Sequence, residues 1–96
     1  MTPRFSVRTT PHYERLVRPL LKQHAELRTL QERALRVLAA DPHNQTGAHH
    51  IRKLVAVPVG EGQWRLALGR FRFRYDVVGA DVVLHYGGLR REDTYD

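Results

Sequence analysis

Residues 63–78 read QWRLALGRFRFRYDVV, and this stretch decides the fold. Apolar side chains alternate with arginines along it, which is the period of a β-strand that buries one face. The apolar side chains form two series on either side of Gly69: Trp64, Leu66 and Leu68, then Phe71, Phe73, Tyr75 and Val77. The opposite face carries Arg65 and Ala67, then Arg70, Arg72 and Arg74. The stretch therefore predicts a hairpin with one core face and one face of guanidinium groups, which are suited to phosphate.

Length, charge and cysteine content limit what the chain can be. Its 96 residues suffice for one domain with a modest core, and a hydrophobic content of 42% argues against disorder. The net charge of +6 favours RNA, DNA or an acidic protein as partner. The absence of cysteine excludes disulfides, thiolate zinc sites and a cysteine nucleophile. Because no apolar run has signal-peptide or membrane-spanning length, we expect a cytoplasmic protein that does not engage a membrane.

The residues before the hairpin predict one strand and two helices. Residues 4–8 (RFSVR) fit a short strand. Thr10 followed by Pro11 marks a helix start, with a hydroxyl cap and a proline at the first helical position. Pro19 lies inside the amphipathic pattern that follows and predicts a kink or a split of this helix. A second amphipathic helix is predicted over residues 25–40, ending at an Asp-Pro dipeptide.

Turns divide the second half of the chain into strands. Residues 60–62 (GEG) form a turn into the first strand of the hairpin, Gly69 and Arg70 form a tight corner, and residues 79–81 precede a last strand over residues 82–86. The sequence thus predicts an α+β fold: an N-terminal strand, a helical hairpin, and a three-stranded antiparallel meander in one twisted sheet. Since both helices need one sheet face, the arginine-bearing face is left for solvent or for a polyanion, with nucleic acid the leading candidate.

Four segments of the chain resemble the RelE/ParE toxin superfamily. They are residues 51–54 (IRKL), 64–66 (WRL), 69–75 (GRFRFRY) and 88–95 (GLRREDTY). With the preceding helical hairpin they fit the family along nearly the whole chain, which implies a single RelE/ParE-like toxin domain over residues 1–96. RelE-type toxins are cytoplasmic and inhibit translation by cleaving messenger RNA in the ribosomal A site, without a metal or another cofactor. ParE-type members share the fold and poison DNA gyrase.

The resemblance also implies partners. A cognate antitoxin neutralises such a toxin by wrapping it with a helix or an extended segment. The ribosome and its mRNA form the target of the RelE-type members, and operator DNA is reached only through the antitoxin complex. A degenerate member that binds only antitoxin or operator DNA is a third possibility beside the nuclease and the gyrase poison.

Metal-free RNA cleavage assigns roles to individual residues. The 2′-hydroxyl attacks the adjacent phosphate, so the reaction needs a base, an acid, and cations that stabilise the phosphorane. By resemblance, Arg72 matches the arginine on the scissile phosphate. Arg65 matches a position that contacts RNA or assists proton transfer, and because arginine is a poor base we assign Arg65 to a phosphate. Arg91 matches the family arginine near the C-terminus, and Tyr95 matches the tyrosine that stacks on a base or transfers a proton.

Other residues are assigned to RNA binding or left open. The predicted RNA-binding residues are Arg52, Lys53, Arg70, Arg74 and Arg90. His85 is a possible general acid or base, with a purely structural histidine as the alternative. Ala67 stands where some ribosome-dependent members carry lysine, which keeps the gyrase alternative open. No carboxylate clearly takes the role of base, and Asp76 is open to a solvent-facing interpretation. Adjacent His49 and His50 do not predict a metal site, because neither cysteine nor a carboxylate cluster accompanies them.

Overall fold

A mixed β-sheet carries two helices on one of its faces. The structure is a computed structural model that describes residues 4–90. The elements of this part of the chain are β1 (Ser6–Thr9), α1 (Pro11–Gln23), α2 (Ala25–Ala40), β2 (Ile51–Lys53), β3 (Trp64–Leu68), β4 (Phe71–Val78) and β5 (Asp81–Leu89). None of its helices has the length and apolarity that a membrane crossing requires. The predicted α+β class is confirmed.

The described strands are ordered β1-β5-β4-β3-β2 across the sheet. β1 runs parallel to β5 and pairs Val7 with Val82, whereas the other neighbours are antiparallel. At the far edge, β2 pairs Ile51 with Leu66 of β3. The predicted meander lacks this edge strand and is wrong in that respect. The physical reason is length, since three residues are too few for alternation to be visible in the sequence.

The helices begin and end largely where the local sequence predicts. The side-chain oxygen of Thr10 accepts a hydrogen bond from the backbone N–H of Tyr13 at 3.1 Å and so caps α1. α1 then continues through Pro19 to Gln23 as one helix, and the predicted split is wrong. Pro19 is exposed and removes only one backbone donor, while the apolar side of α1 packs on the sheet. α2 spans the predicted residues 25–40.

The core lies between the helices and β4. Phe71, Phe73 and Tyr75 of β4 are fully buried, as the alternation predicts. The residues buried with them are Tyr13, Val17, Leu27, Ala34, Leu38, Leu66, Val82 and Leu84. The Tyr75 hydroxyl donates a hydrogen bond to the carbonyl oxygen of Pro42 at 2.7 Å, which ties β4 to the segment after α2. Burial of one large apolar side chain contributes roughly 1.5–3 kcal/mol, so β4 supplies much of the stability of the core.

A bulge in β5 decides which of its side chains share a face. Tyr75 of β4 pairs with Leu84, whereas Arg74 pairs with Tyr86, so His85 is an extra residue on β5. Strict alternation would put Tyr86 on the core side with Leu84. The bulge puts Tyr86 on the opposite side instead. β5 also extends beyond the last strand predicted from the sequence.

A glycine after the bulge allows α1 to approach β5 closely. A Cβ atom built on Gly87 would lie 2.8 Å from Cε1 of Tyr13 and 2.9 Å from Cγ1 of Val17. Any side chain at this position would overlap these two core residues of α1. The backbone N–H of Thr10 donates to the carbonyl oxygen of Leu84 at 3.1 Å and fixes the start of α1 beside the same strand.

Candidate nucleic-acid interface

Arginines from three adjacent strands lie side by side on the sheet face opposite the helices, which we call the arginine face. Arg52 of β2 pairs with Arg65 of β3, Arg65 pairs with Arg74 of β4, and Arg74 pairs with Tyr86 of β5. Residues paired in this way point to the same side of a sheet, with Cβ atoms about 4.5–5.5 Å apart. Like charges placed directly opposite repel each other. The register therefore gathers guanidinium groups from β2, β3 and β4 on one side of the sheet, which is the arrangement expected of a surface for a polyanion.

Arg72 lies on the arginine face of β4, the middle strand of the described sheet. Its cross-strand partners are the small residues Ala67 and Gly88. Nη1 of Arg72 donates to the carbonyl oxygens of Gly69 at 3.0 Å and Phe71 at 2.9 Å. These bonds hold the side chain against the β3–β4 turn, so the predicted phosphate ligand occupies a defined position.

A buried carboxylate anchors the loop beside the arginine face. Asp76 is 1% exposed, so its solvent-facing interpretation is wrong. Oδ2 accepts hydrogen bonds from the backbone N–H groups of Gly60 (2.7 Å) and Gly62 (3.3 Å), and Oδ1 accepts one from Gln63 (2.9 Å). Burial alone would raise the pKa of this carboxyl, but these donors and the nearby His85 outweigh burial and lower the pKa below its ordinary value. Asp76 is therefore ionised at neutral pH.

The same carboxylate holds His85, and we call Asp76 and His85 the dyad. Nε2 of His85 lies 2.9 Å from Oδ2 of Asp76. Because of the bulge, His85 and Tyr86 face the same side of the sheet although they are adjacent in sequence. The Tyr86 side chain extends along the strand, and a Cβ atom built on Gly88 would lie 2.6 Å from its hydroxyl oxygen. A histidine oriented by a carboxylate is an arrangement suited to proton transfer.

A cleft of about 580 Å³ opens beside the dyad. One wall is formed by Arg74, His85 and Tyr86 of the sheet, and the other by the first turns of α1, including His12 and Arg15. Glu61 and its neighbours in the loop after β2 close one end. The volume falls within the roughly 300–1,000 Å³ that is usual for ligand sites. In the described part of the lining, two arginines stand against one glutamate, so these residues give this α1–β5 cleft a net positive charge, which suits an anion.

Two cations predicted for RNA binding lie on the helix side instead. The guanidinium group of Arg70 pairs with the carboxylate of Glu26 in the first turn of α2, and this hydrogen bond lowers the pKa of Glu26. The sequence predicts Arg70 on the same face as Arg72, and this is wrong because Arg70 belongs to the β3–β4 turn and not to β4. Lys53 pairs with Trp64 across β2 and β3, and its Nζ lies 5.6 Å from the centroid of the Trp64 ring system. Their roles in RNA binding stay predictions.

The predicted catalytic residues are only partly brought together by the described chain. Arg65 and Arg72 lie on one face, as the sequence predicts. Arg90 is exposed just beyond β5. Its backbone N–H donates a 2.7 Å hydrogen bond to the carbonyl oxygen of Arg70, so Arg90 lies near the β3–β4 turn. Arg91 and Tyr95 lie outside the described residues. Within residues 4–90, no group of three or more His, Asp or Glu side chains is placed to hold a metal ion.

Sequence reasoning missed Tyr86, Arg15 and His12 as residues of the site. A signal for Tyr86 was present, because two glycines follow it inside a strand and such glycines often mark a bulge or a close backbone approach. The residues of α1 gave no comparable signal, since their proximity to β5 depends on how the helix packs.

Comparison of the chain with protein-family models, with curated proteins and with solved structures gives no significant match. What the fold and the site define is a basic α+β domain with an arginine-bearing sheet face and a histidine–aspartate pair at its margin.

Proposed function

We propose that this chain adopts the RelE/ParE-like fold and is the toxin of a toxin–antitoxin pair that cleaves ribosome-bound mRNA without a metal. The observation that supports this most strongly is the dyad at the edge of the arginine face. A histidine oriented by a carboxylate and several arginines thereby occupy one side of one sheet. A cationic surface alone would suit any polyanion, whereas an oriented histidine beside it favours chemistry on the phosphodiester.

The proposed reaction consists of one bond exchange and two proton transfers. The 2′-hydroxyl loses its proton, its oxygen bonds to the adjacent phosphorus, and the bond from phosphorus to the 5′-oxygen breaks. The products are a 2′,3′-cyclic phosphate and a 5′-hydroxyl whose proton comes from a general acid. His85, oriented by Asp76, carries out one of these transfers. The resemblance makes Tyr95 the candidate for the other transfer, with stacking on a base as its alternative role.

The cations of the arginine face have two tasks in this reaction. Arg72 and Arg65 stabilise the charge that develops on the phosphorane, and loss of one such contact costs about 10²–10³ in rate. Arg52 and Arg74 flank Arg65 in the cross-strand register and position the RNA backbone. Arg91 is the further family cation that the resemblance assigns to catalysis.

A cleavage assay on programmed ribosomes tests the proposal. Purified chain is added to ribosomes that carry a defined mRNA, and cuts are mapped by primer extension with and without EDTA. We expect cuts within codons that persist in EDTA and fall about 100-fold or more in Arg72→Ala. Arg36→Ala removes an exposed arginine from α2 and should cleave like the wild type. Equal rates for the two variants would contradict the assignment of Arg72.

The gyrase-poisoning alternative has one supporting observation. Ala67, the cross-strand partner of Arg72, puts a methyl group where some ribosome-dependent relatives carry lysine. Induction of the chain in cells distinguishes the two functions, because a gyrase poison triggers a DNA-damage response while transcripts stay intact. Co-expression of the antitoxin should suppress either form of toxicity.

A further inference from the structure

We propose that the α1–β5 cleft binds a phosphate of the single-stranded RNA that crosses the arginine face, and that Arg15 of α1 is the principal ligand. The inference rests on the proposed function for the identity of the polyanion. It adds a binding subsite on the helix layer, which neither the alternation of the hairpin nor the family resemblance assigns.

Arg74 makes the cleft continuous with the arginine face. It pairs with Arg65 on β3 and also lines the cleft together with His85 and Tyr86. Its Nε donates to the carbonyl oxygen of Gly62 at 3.1 Å, which fixes the guanidinium group at the mouth of the cleft. An RNA backbone that follows the arginines from β2 towards β5 therefore arrives at the cleft.

Arg15 is the cation on the far wall. It is exposed, and among residues 4–90 its guanidinium group has neither a hydrogen-bond nor an ion-pair partner. The nearest acidic residue on the same helix, Glu14, accepts a hydrogen bond from the Thr9 hydroxyl at 2.6 Å and does not line the cleft. Among residues 4–90, Glu61 is the single carboxylate of the lining. Arg15 and Arg74 thus outnumber it and favour a singly charged phosphodiester between the two walls.

The base next to such a phosphate would meet Tyr86. The Tyr86 side chain lies along β5 over Gly88 and lines the same cleft. Aromatic rings in single-strand binding sites stack on bases of any sequence. The subsite is therefore expected to hold a nucleotide without a strong preference for its base.

Binding of an uncleavable RNA tests the inference separately from catalysis. A fluorescent 2′-O-methyl single-stranded oligonucleotide lacks the attacking hydroxyl, and its anisotropy with the full chain is measured over a range of salt concentrations. Arg15→Ala should weaken binding about tenfold at low salt and reduce the slope of log K against log salt by about 0.7. Arg33→Ala, which removes an exposed arginine from α2 and changes the net charge equally, should have little effect on either quantity.

Each outcome bears on one of the two proposals. Equal affinities and slopes for Arg15→Ala and Arg33→Ala would overturn the subsite, and so would a wild-type chain that fails to bind at low salt. Selective weakening by Arg15→Ala would support the subsite even where the wild type cleaves no RNA, in which case only the nuclease proposal fails. Because Arg15 is exposed, Arg15→Ala should unfold at the same urea concentration as the wild type. Arg15→Lys should retain most of the salt slope.

Discussion

Nε2 of His85 lies 2.9 Å from Oδ2 of Asp76, and that carboxylate is in turn bound by three backbone N–H groups of the loop before β3. Asp76 therefore joins two things, the path of the loop and the orientation of the imidazole. His85 sits at the bulge of β5, where the strand alone does not fix the direction of a side chain. A change at Asp76 should consequently alter both the conformation of the loop and the orientation of His85 at the bulge.

Replacing Asp76 with asparagine should destabilise the fold by about 3 kcal/mol. A hydrogen bond to a charged acceptor contributes roughly 1.5–3 kcal/mol, and the amide group of asparagine would oppose at least one backbone donor. The free energy of unfolding in urea measures the loss.

A second aspartate provides the control for this experiment. Asp81→Asn alters a partly exposed carboxylate whose oxygen lies 3.9 Å from the mostly exposed guanidinium group of Arg8. Such a surface pair contributes less than about 1 kcal/mol. Similar losses in the Asp76 and Asp81 variants would show that Asp76 does not anchor the loop.

Acid should weaken the fold through the same carboxylate. Burial alone would raise the pKa of Asp76, but its hydrogen bonds and His85 lower it in the folded chain, whereas the unfolded chain has the ordinary value of about 3.9. The unfolded state binds more protons between these two values, so stability rises with pH there. The contribution is complete above the unfolded pKa and is lost as pH falls through the folded pKa.

Urea titrations at a series of pH values test this prediction. The difference in unfolding free energy between the wild type and Asp76→Asn should shrink as the pH falls below about 4. Asp41 and Glu26 also have lowered pKa values, but both residues titrate in both proteins and cancel in the difference. A difference that stays constant down to pH 2 would contradict an ionised, anchored Asp76.

His85→Ala should separate chemistry from stability. General acid–base catalysis by a positioned side chain contributes about 10²–10⁴ in rate, so single-turnover cleavage should fall by that factor. Asp76 keeps its backbone donors and loses one bond to a charged acceptor, so the free energy of unfolding should fall by roughly 1.5–3 kcal/mol. A loss of that size leaves a domain of typical stability folded. Added imidazole should restore part of the cleavage in His85→Ala and none in Arg72→Ala. Normal cleavage by His85→Ala would exclude the dyad from the reaction.

The central hairpin was predictable because aromatic residues and arginines alternate from Phe71 to Tyr75. Phe73 and Arg72 are neighbours in sequence, and one is fully buried while the other lies on the arginine face. β2 was not predictable in the same way. Its three residues acquire the strand conformation from pairing with β3, and that pairing is not encoded in a local period.

The site was predictable only where the period of two persists. It places Arg65 and Arg74 correctly, but it fails at Tyr86 because the bulge shifts the register. The burial of Asp76 was equally hidden, since its partners belong to a loop distant in sequence. Arg15 lines the cleft through the packing of α1 against β5, which the absence of a side chain at Gly87 allows. Each of these failures reflects a tertiary contact that overrides the local pattern.

The two adjacent glycines of β5 should respond differently to the same substitution. At Gly87 an added methyl group would meet the buried Tyr13 at 2.8 Å and Val17 at 2.9 Å, so Gly87→Ala should destabilise the fold by about 1–3 kcal/mol. At Gly88 the methyl group would meet the hydroxyl end of Tyr86 at 2.6 Å. That end belongs to a long side chain outside the core and can move, so Gly88→Ala should cost less than about 1 kcal/mol.

Unfolding in urea and oligonucleotide binding together test this pair. Gly88→Ala should displace the Tyr86 ring and weaken binding of the 2′-O-methyl oligonucleotide about as much as Tyr86→Ala does. The double variant should then show no further loss, because both changes remove the same contact. The main effect of Gly87→Ala should be a loss of stability, since its added methyl group faces the helix layer, away from the arginine face. Equal loss of stability at the two positions would contradict the register in which Gly87 faces the helix layer and Gly88 faces the arginine side.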